Sequence, residues 1–211
     1  MIIGIIGGIA SGKSTIVNVL EEEGAIVIKA DEIGHQIYNF QTFEYHKIIN
    51  VFGSQIINED KQLNRKKLGN IVFKSKDEMK KLTDIIWPAI LNRIQSLIIQ
   101  KQRELEKKSL PNIIFVEAAV LLEANWHKKN LFTNYWLVEV SPILAKNRLI
   151  KRNKLTEGEA IMRIQSQLSN IDRQKILSNN NLSYTVISNI ATKEDLCKEV
   201  IKLYQQIKKS K

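Results

Sequence analysis

The sequence predicts an α/β fold built on a parallel sheet. Three observations lead there. Five short apolar runs lack the alternation of half-buried strands, which is the pattern of strands covered on both faces. Helical patterns lie between them, and alternating strands and helices favour a parallel sheet. A glycine-rich turn, "GGIASGKST", joins the first run to the first helix.

Taken in order, the strands are "MIIGII" (1–6), "AIVIKA" (25–30), "NIIFVE" (112–117), "YWLVEV" (135–140) and "YTVIS" (184–188). The helix after the first strand, "KSTIVNVLEEEG", puts Ile16, Val19 and Leu20 on one face and stops at Gly24. The stretch from about Phe43 to Lys108 has helix signals and no strand signal. It holds "FEYHKIINVFG", "NRKKLGNIVF" and a long pattern in which Pro88 is expected to break or kink the helix. Ser141 as N-cap with Pro142 behind it starts another helix. The "TEGE" capping box at Thr156–Glu159 and "TKED" at Thr192–Asp195 start two more.

The spacing Gly7-x-x-x-x-Gly12-Lys13-Ser14 fits the phosphate-binding loop. A loop that wraps a phosphate must turn successive backbone N–H groups inward, and glycine permits those angles. The helix that follows adds the positive end of its dipole. Lys13 is expected on the β- and γ-phosphates of a nucleoside triphosphate and the Ser14 hydroxyl on Mg²⁺. The strand before the loop and the amphipathic helix after it are the context this reading needs.

Composition narrows the class. The chain has 211 residues, 44% of them hydrophobic, enough for a buried core. No apolar run approaches the roughly 20 residues of a membrane span. Gly7 and Gly8 end the apolar N-terminus too early for a secretory signal. The single cysteine, Cys197, permits no internal disulfide and reads as a packing residue in a reducing, cytoplasmic setting. The net charge of +10 comes largely from lysines mixed with acids on helical stretches such as "KQRELEKK", and from "KKSK" at Lys208–Lys211. That is a solvated surface rather than a nucleic-acid face. Three scattered histidines give no zinc spacing, and His46 and His127 read as surface residues. Trp87, Trp126 and Trp136 read as packing residues.

No Asn-Lys-x-Asp guanine reader is present, and Val116-Glu117-Ala118 is weak wording for a motor-type ATPase. Asp31 follows the second strand, on the side where a parallel sheet opens toward the loop. It is either a carboxylate that accepts a hydroxyl proton during phosphoryl transfer or the N-cap of the next helix. Arg148 and Arg152, four apart on one helix face, and Arg163 beyond them, are either phosphate-neutralising groups on a flap or an exposed basic face.

An ordered set of segments resembles dephospho-coenzyme A kinase over nearly the whole chain. The segments are "GGIASGKST", "ADEIGH", "NRKKLGNIVF", "LTDIIWPAI", "VEAAVLLEANW", "RLIKRNKLTEGEAIMRIQSQLS" and "VISN". "WPAI" and "AAVLLEA" are similar in wording to the kinase part of the bifunctional coenzyme A synthase of animals. The resemblance implies a three-layer P-loop kinase core with a five-stranded parallel sheet (1–40, 110–140 and 170–211). It also implies a helical substrate-binding insertion (41–109) and a small helical lid (141–169). The implied reaction uses ATP and Mg²⁺ to phosphorylate the ribose 3′-hydroxyl of dephospho-coenzyme A. By position, Gly8, Ala10, Ser11, Gly12, Lys13, Ser14 and Thr15 would hold ATP phosphates. Asp31 would be the general base, Arg152 the lid arginine near the phosphates, and Asn189 near the adenine. His35, Arg65 and Glu117 would line the acceptor site. The chain departs from the family pattern at Lys29, where an acid is common, at "YNFQTF", where Pro-Gly is usual, and at Asn189-Ile190-Ala191 in place of Asn-Asn-Gly. The expected partners are the two small-molecule substrates, with no nucleic acid and no membrane, in a monomer or weak homo-oligomer. A kinase for another hydroxyl acceptor and a non-catalytic nucleotide- or nucleic-acid-binding module are the rival readings.

Overall fold

The computed structural model describes residues 1–209; the last two residues of the "KKSK" stretch lie outside them. The chain forms two compact units, one made of Met1–Lys29 with the residues from Ile98 onward, the other of Ala30–Leu97.

The first unit carries an all-parallel sheet of five strands, β1 (Ile2–Gly7), β2 (Ile26–Lys29), β3 (Ile114–Glu117), β4 (Asn134–Glu139) and β5 (Tyr184–Ser188), in the order β2-β3-β1-β4-β5. β1 is the central strand. Ile5 is in register with Glu117 on one side and Trp136 on the other. After β1 the chain first goes to the far edge of one half of the sheet, and β4 later opens the other half. The carboxyl end of β1 is therefore at a topological switch point, where ligands bind in open α/β sheets. Helix α1 (Lys13–Glu22) follows β1 directly. One face of the sheet is covered by Ile16, Val17 and Leu20 of α1 and by Leu196, Val200 and Tyr204 of the C-terminal helix. These pack on Ile3, Ile5, Phe115, Trp136, Val138 and Ile187. Cys197 packs at the margin of this cluster, as expected of a packing residue.

The second unit begins with α2 (Ala30–Ile37), followed by α3 (Phe43–Phe52), α4 (Arg65–Val72) and the larger part of α5 (Lys76–Lys107). Thr42 caps α3, its hydroxyl accepting from Tyr45 N, and Asn64 caps α4, its carbonyl oxygen accepting from Lys67 N. Tyr45, Ile48, Phe52, Ile56, Leu68 and Val72 form a core of their own.

Of the break or kink expected at Pro88, the break does not occur, since α5 runs as one helix of 32 residues. Pro88 and Asp84, whose carbonyl loses its helical donor, are both exposed, so water can replace the missing bond. His127 is not a surface residue. It is 5% exposed, and its Nδ1 has no hydrogen-bond partner among the described residues.

The remaining helices are α6 (Pro142–Asn153), α7 (Glu157–Gln165), α8 (Asn170–Asn179) and α9 (Lys193–Lys209). Ser141 caps α6, and Thr156 with Glu159 forms the expected capping box of α7. Thr192 and Asp195 bond reciprocally at the start of α9. Helix α8 was not foreseen. Its signal, Ser169-Asn170-Ile171-Asp172, is a capping box of the same kind. No helix among the described residues is long and apolar enough to cross a membrane.

The burial of His127 has a pH consequence. Desolvation first, and the neighbouring Lys128 second, hold its pKa below the ordinary 6.5. The unfolded chain then binds the proton more readily than the folded one, so stability rises with pH across that window and is lost as pH falls below about 6.5. Urea titrations from pH 7.5 to 5.5 should show this decline, and His127→Gln should reduce its slope. An unchanged slope in the variant would assign the decline to other groups.

Candidate active site

Between β1 and α1 the chain makes the turn that the glycine spacing requires. Ala10 has φ 58° and Gly12 φ 105°, both left-handed, with Ser11 between them. Alternation of this kind turns neighbouring N–H groups to one side and makes an anion-binding nest. Ala10 carries a Cβ, so its conformation costs roughly 1–2 kcal/mol. Gly12 has no substitute: a Cβ there would collide with the Asn189 side-chain amide. Ser11 N donates to Gly8 O at 3.2 Å, and Thr15 N to Gly12 O at 3.0 Å. Lys13 folds over the loop, its Nζ donating to Gly7 O at 3.0 Å and to Gly8 O at 3.1 Å. Ser14 is exposed on the first turn of α1, and no acidic residue in that turn offsets the helix dipole.

A polar hub holds the loop from behind. Asn189, 6% exposed, sits just past β5. Its backbone N–H donates to Glu139 O at 2.8 Å and its Nδ2 to Ser11 O at 2.7 Å. Arg148 of α6 donates from Nη1 to Ala10 O at 3.2 Å, and from Nη2 to Asn189 O at 3.2 Å and Asn189 Oδ1 at 3.1 Å. Arg148 and Asn189 thus fix the carbonyls of Ala10 and Ser11. Arg152, one turn on, bonds the neighbouring Asn153 Oδ1 at 2.9 Å, and Arg163 is exposed on α7. Of the three arginines singled out in the sequence, Arg148 is the one that touches the loop.

Two further residues meet the loop at Gly8 and Ile9. Gln167 Oε1 accepts from Ile9 N at 2.8 Å. Arg173 of α8 is 2% exposed, with its Nη1 against Gly8: a Cβ on Gly8 would lie 3.5 Å from it. Desolvation lowers the pKa of Arg173, while Glu123, Asp172 and Glu139 oppose that shift. Both residues line a cavity of about 590 Å³ together with Gly8, Ile9, Val140 and Leu168. Neither was singled out from the sequence. Gln167 and Arg173 lie in a polar stretch around a turn, and only their place in the fold distinguishes them from surface residues.

Glu117 closes β3 at the carboxyl edge of the sheet, in register with Ile5 and Lys29. Lys29, which stands where an acid was expected, pairs with Glu21 of α1 at 2.8 Å. In the second unit, Asp31 is exposed and is the second residue of α2, inside the first turn rather than at the N-cap position. His35 and Arg65 are brought together. Arg65 Nη1 lies 2.5 Å from His35 Nδ1, its Nη2 donates to His35 O at 2.9 Å, and its guanidinium covers the Tyr38 ring. Burial pushes the Tyr38 hydroxyl up, and Arg65 partly offsets this.

The family model described as dephospho-CoA kinase matches residues 1–190. The chain belongs to the dephospho-CoA kinase family. A curated dephospho-CoA kinase of Lactobacillus johnsonii is 32% identical over 205 residues, covering 97% of each chain. That of Oceanobacillus iheyensis is 35% identical, covering 87% of this chain and 90% of its own. The solved dephospho-CoA kinase of Campylobacter jejuni superposes with a TM-score of 0.65 at 28% identity, covering 99% and 98%. The Thermus thermophilus protein TT1252, at 22% identity and a TM-score of 0.74 over 98% and 97%, shares the fold. As a dephospho-CoA kinase, the chain is an enzyme that uses ATP and performs the final step of coenzyme A synthesis, phosphorylation of the 3′-hydroxyl of its acceptor. The relatives named here are bacterial.

Proposed function

We propose the following division of labour in this dephospho-coenzyme A kinase. The loop residues Gly8, Ala10, Ser11, Gly12, Lys13, Ser14 and Thr15 bind the phosphates of ATP, and Lys13 leaves its loop carbonyls to follow the β- and γ-phosphates. Asp31 accepts the proton of the acceptor's 3′-hydroxyl as that oxygen attacks the γ-phosphorus and ADP leaves. Arg152 closes with the α6–α7 lid over the phosphates and excludes water. Asn189, just past β5, lies near the adenine of ATP. His35, Arg65 and Glu117 bind the acceptor, and the helical segment 41–109 is the substrate-binding insertion.

Mg²⁺ fits the donor set. No cluster of three or more His, Cys, Asp or Glu residues that could hold a metal is found among the described residues. Mg²⁺ does not need one, since it is held by one or two protein oxygens, nucleotide phosphates and water. The exposed Ser14 hydroxyl is the residue that would take it. When bound, the ion offsets phosphate charge.

The observation that carries this reading is the loop itself, with Ala10 and Gly12 left-handed directly before α1. We further propose a cytoplasmic enzyme, in keeping with one free cysteine. We expect a monomer or weak homo-oligomer, without a nucleic-acid or membrane partner.

The test is ADP release by the purified protein with ATP and Mg²⁺, with and without dephospho-coenzyme A, with product mass recorded. Acceptor-dependent release with one added phosphate supports the reading. A folded, ATP-binding protein without it would overturn it.

A further inference from the structure

Arg173 poses a question that the loop alone does not answer. A guanidinium with 2% exposure is costly to bury unless its donors are used. Its Nη2 has no hydrogen-bond partner among the described residues. The nearest carboxylate oxygen, Glu123 Oε1, is 3.8 Å away, within ion-pair range and beyond hydrogen-bond range. Glu123, Asp172 and Glu139 offset part of the desolvation that lowers its pKa, and Nη2 is still without an acceptor among the described residues. The side chain lines the cavity of about 590 Å³ that also contains Gly8 and Ile9 of the phosphate-binding loop. Its Nη1 is already against Gly8, which has no side chain to stand between the guanidinium and whatever the loop holds. Val140, Ala145 and Leu168 form apolar parts of the cavity lining, and Gln167, Asn170 and the Asp172 carboxylate polar ones, with Arg173 its cationic group. A buried donor of fixed position beside a phosphate loop is suited to a phosphate oxygen, which takes charge-assisted bonds from arginine.

We propose that Arg173 is a catalytic residue whose guanidinium binds an oxygen of the γ-phosphoryl group as it passes from ATP to the acceptor. This rests on the kinase reading above and adds to it a residue from α8, outside the loop, the second unit and the α6–α7 lid. Rigid placement distinguishes it from Arg152. Arg173 is held by burial before any lid movement, so it contributes a preorganised donor.

The measurement compares ATP with ADP. A γ-phosphate contact favours ATP alone. Arg173→Met should weaken ATP binding about 10- to 100-fold and lower kcat, with the ADP dissociation constant unchanged by titration calorimetry. Arg173→Lys, which keeps the charge and covers failure of the Met variant to fold, should recover part of the ATP preference. Equal loss of ATP and ADP affinity, or loss confined to the KM for dephospho-coenzyme A, would overturn the assignment. The wild-type protein is assayed alongside. If it shows no acceptor-dependent turnover, the kinase reading fails. If it turns over and Arg173→Met keeps the wild-type ATP preference and rate, the kinase reading stands and this inference fails.

Discussion

Asp31→Asn is expected to lower kcat by about 10²–10⁴-fold and to leave ATP affinity within about twofold, since uniform binding is not what a base supplies. The carboxylate sits two residues beyond the end of β2, exposed, in the first turn of α2. Its N-cap alternative loses its footing because Ala30 already belongs to the helix. The amide is nearly the same size and cannot take a proton. The folded state should therefore be little altered, and thermal unfolding of the variant should match the wild type. Titration of ATP together with steady-state kinetics decides the matter. A fall in affinity as large as the fall in turnover would make Asp31 a structural residue of the first helical turn.

Gly12→Ala is the second large effect. The added Cβ meets the Asn189 amide, and an alanine at φ 105° is strained besides. Asn189 cannot move aside cheaply, because its amide holds Ser11 O and its carbonyls hold Arg148. The loop is expected to give way, with ATP affinity reduced at least about 100-fold, a loss near 3 kcal/mol. The collision is confined to the start of α1, at Asn189 just past β5 and Leu196 of α9, so the helix and strand signal of the circular dichroism spectrum should stay close to that of the wild type. Retention of ATP binding within threefold would show that the Gly12–Asn189 approach is adjustable.

What could be read from residues alone follows from how local each signal is. The five strands are apolar runs bounded by turns, and each assigned strand lies within about two residues of its expected limits. The loop was legible because glycine spacing and a following lysine report backbone geometry directly. The capping boxes at Thr156 and Thr192 carry their own hydrogen-bond logic, and so did the unread one at Ser169. Pro88 left a break and a kink open, and the break is absent because a proline's local penalty can be met by solvent on the exposed side of a long helix. His127, Gln167 and Arg173 were out of reach for another reason. Their roles depend on burial and on contacts with residues far along the chain, Ile9 to Gln167 above all, and composition carries no trace of such pairings. Arg148 was visible as half of a basic pair. Which member of the pair reaches the loop depends on where α6 crosses it.

The placement of β1 has a consequence for how the chain is made. Both neighbours of this central strand, β3 and β4, come more than 100 residues later in the sequence. During synthesis at typical rates, Ile3, Ile5 and Ile6 wait on the order of 10 s before β4 exists to complete their pairing. Residues 30–97, with a hydrophobic cluster of their own and short-range helices, are finished well before that. The nascent enzyme therefore carries its most apolar strand unpaired while a later segment already has what it needs to collapse. Chaperone demand during translation should concentrate on its first six residues.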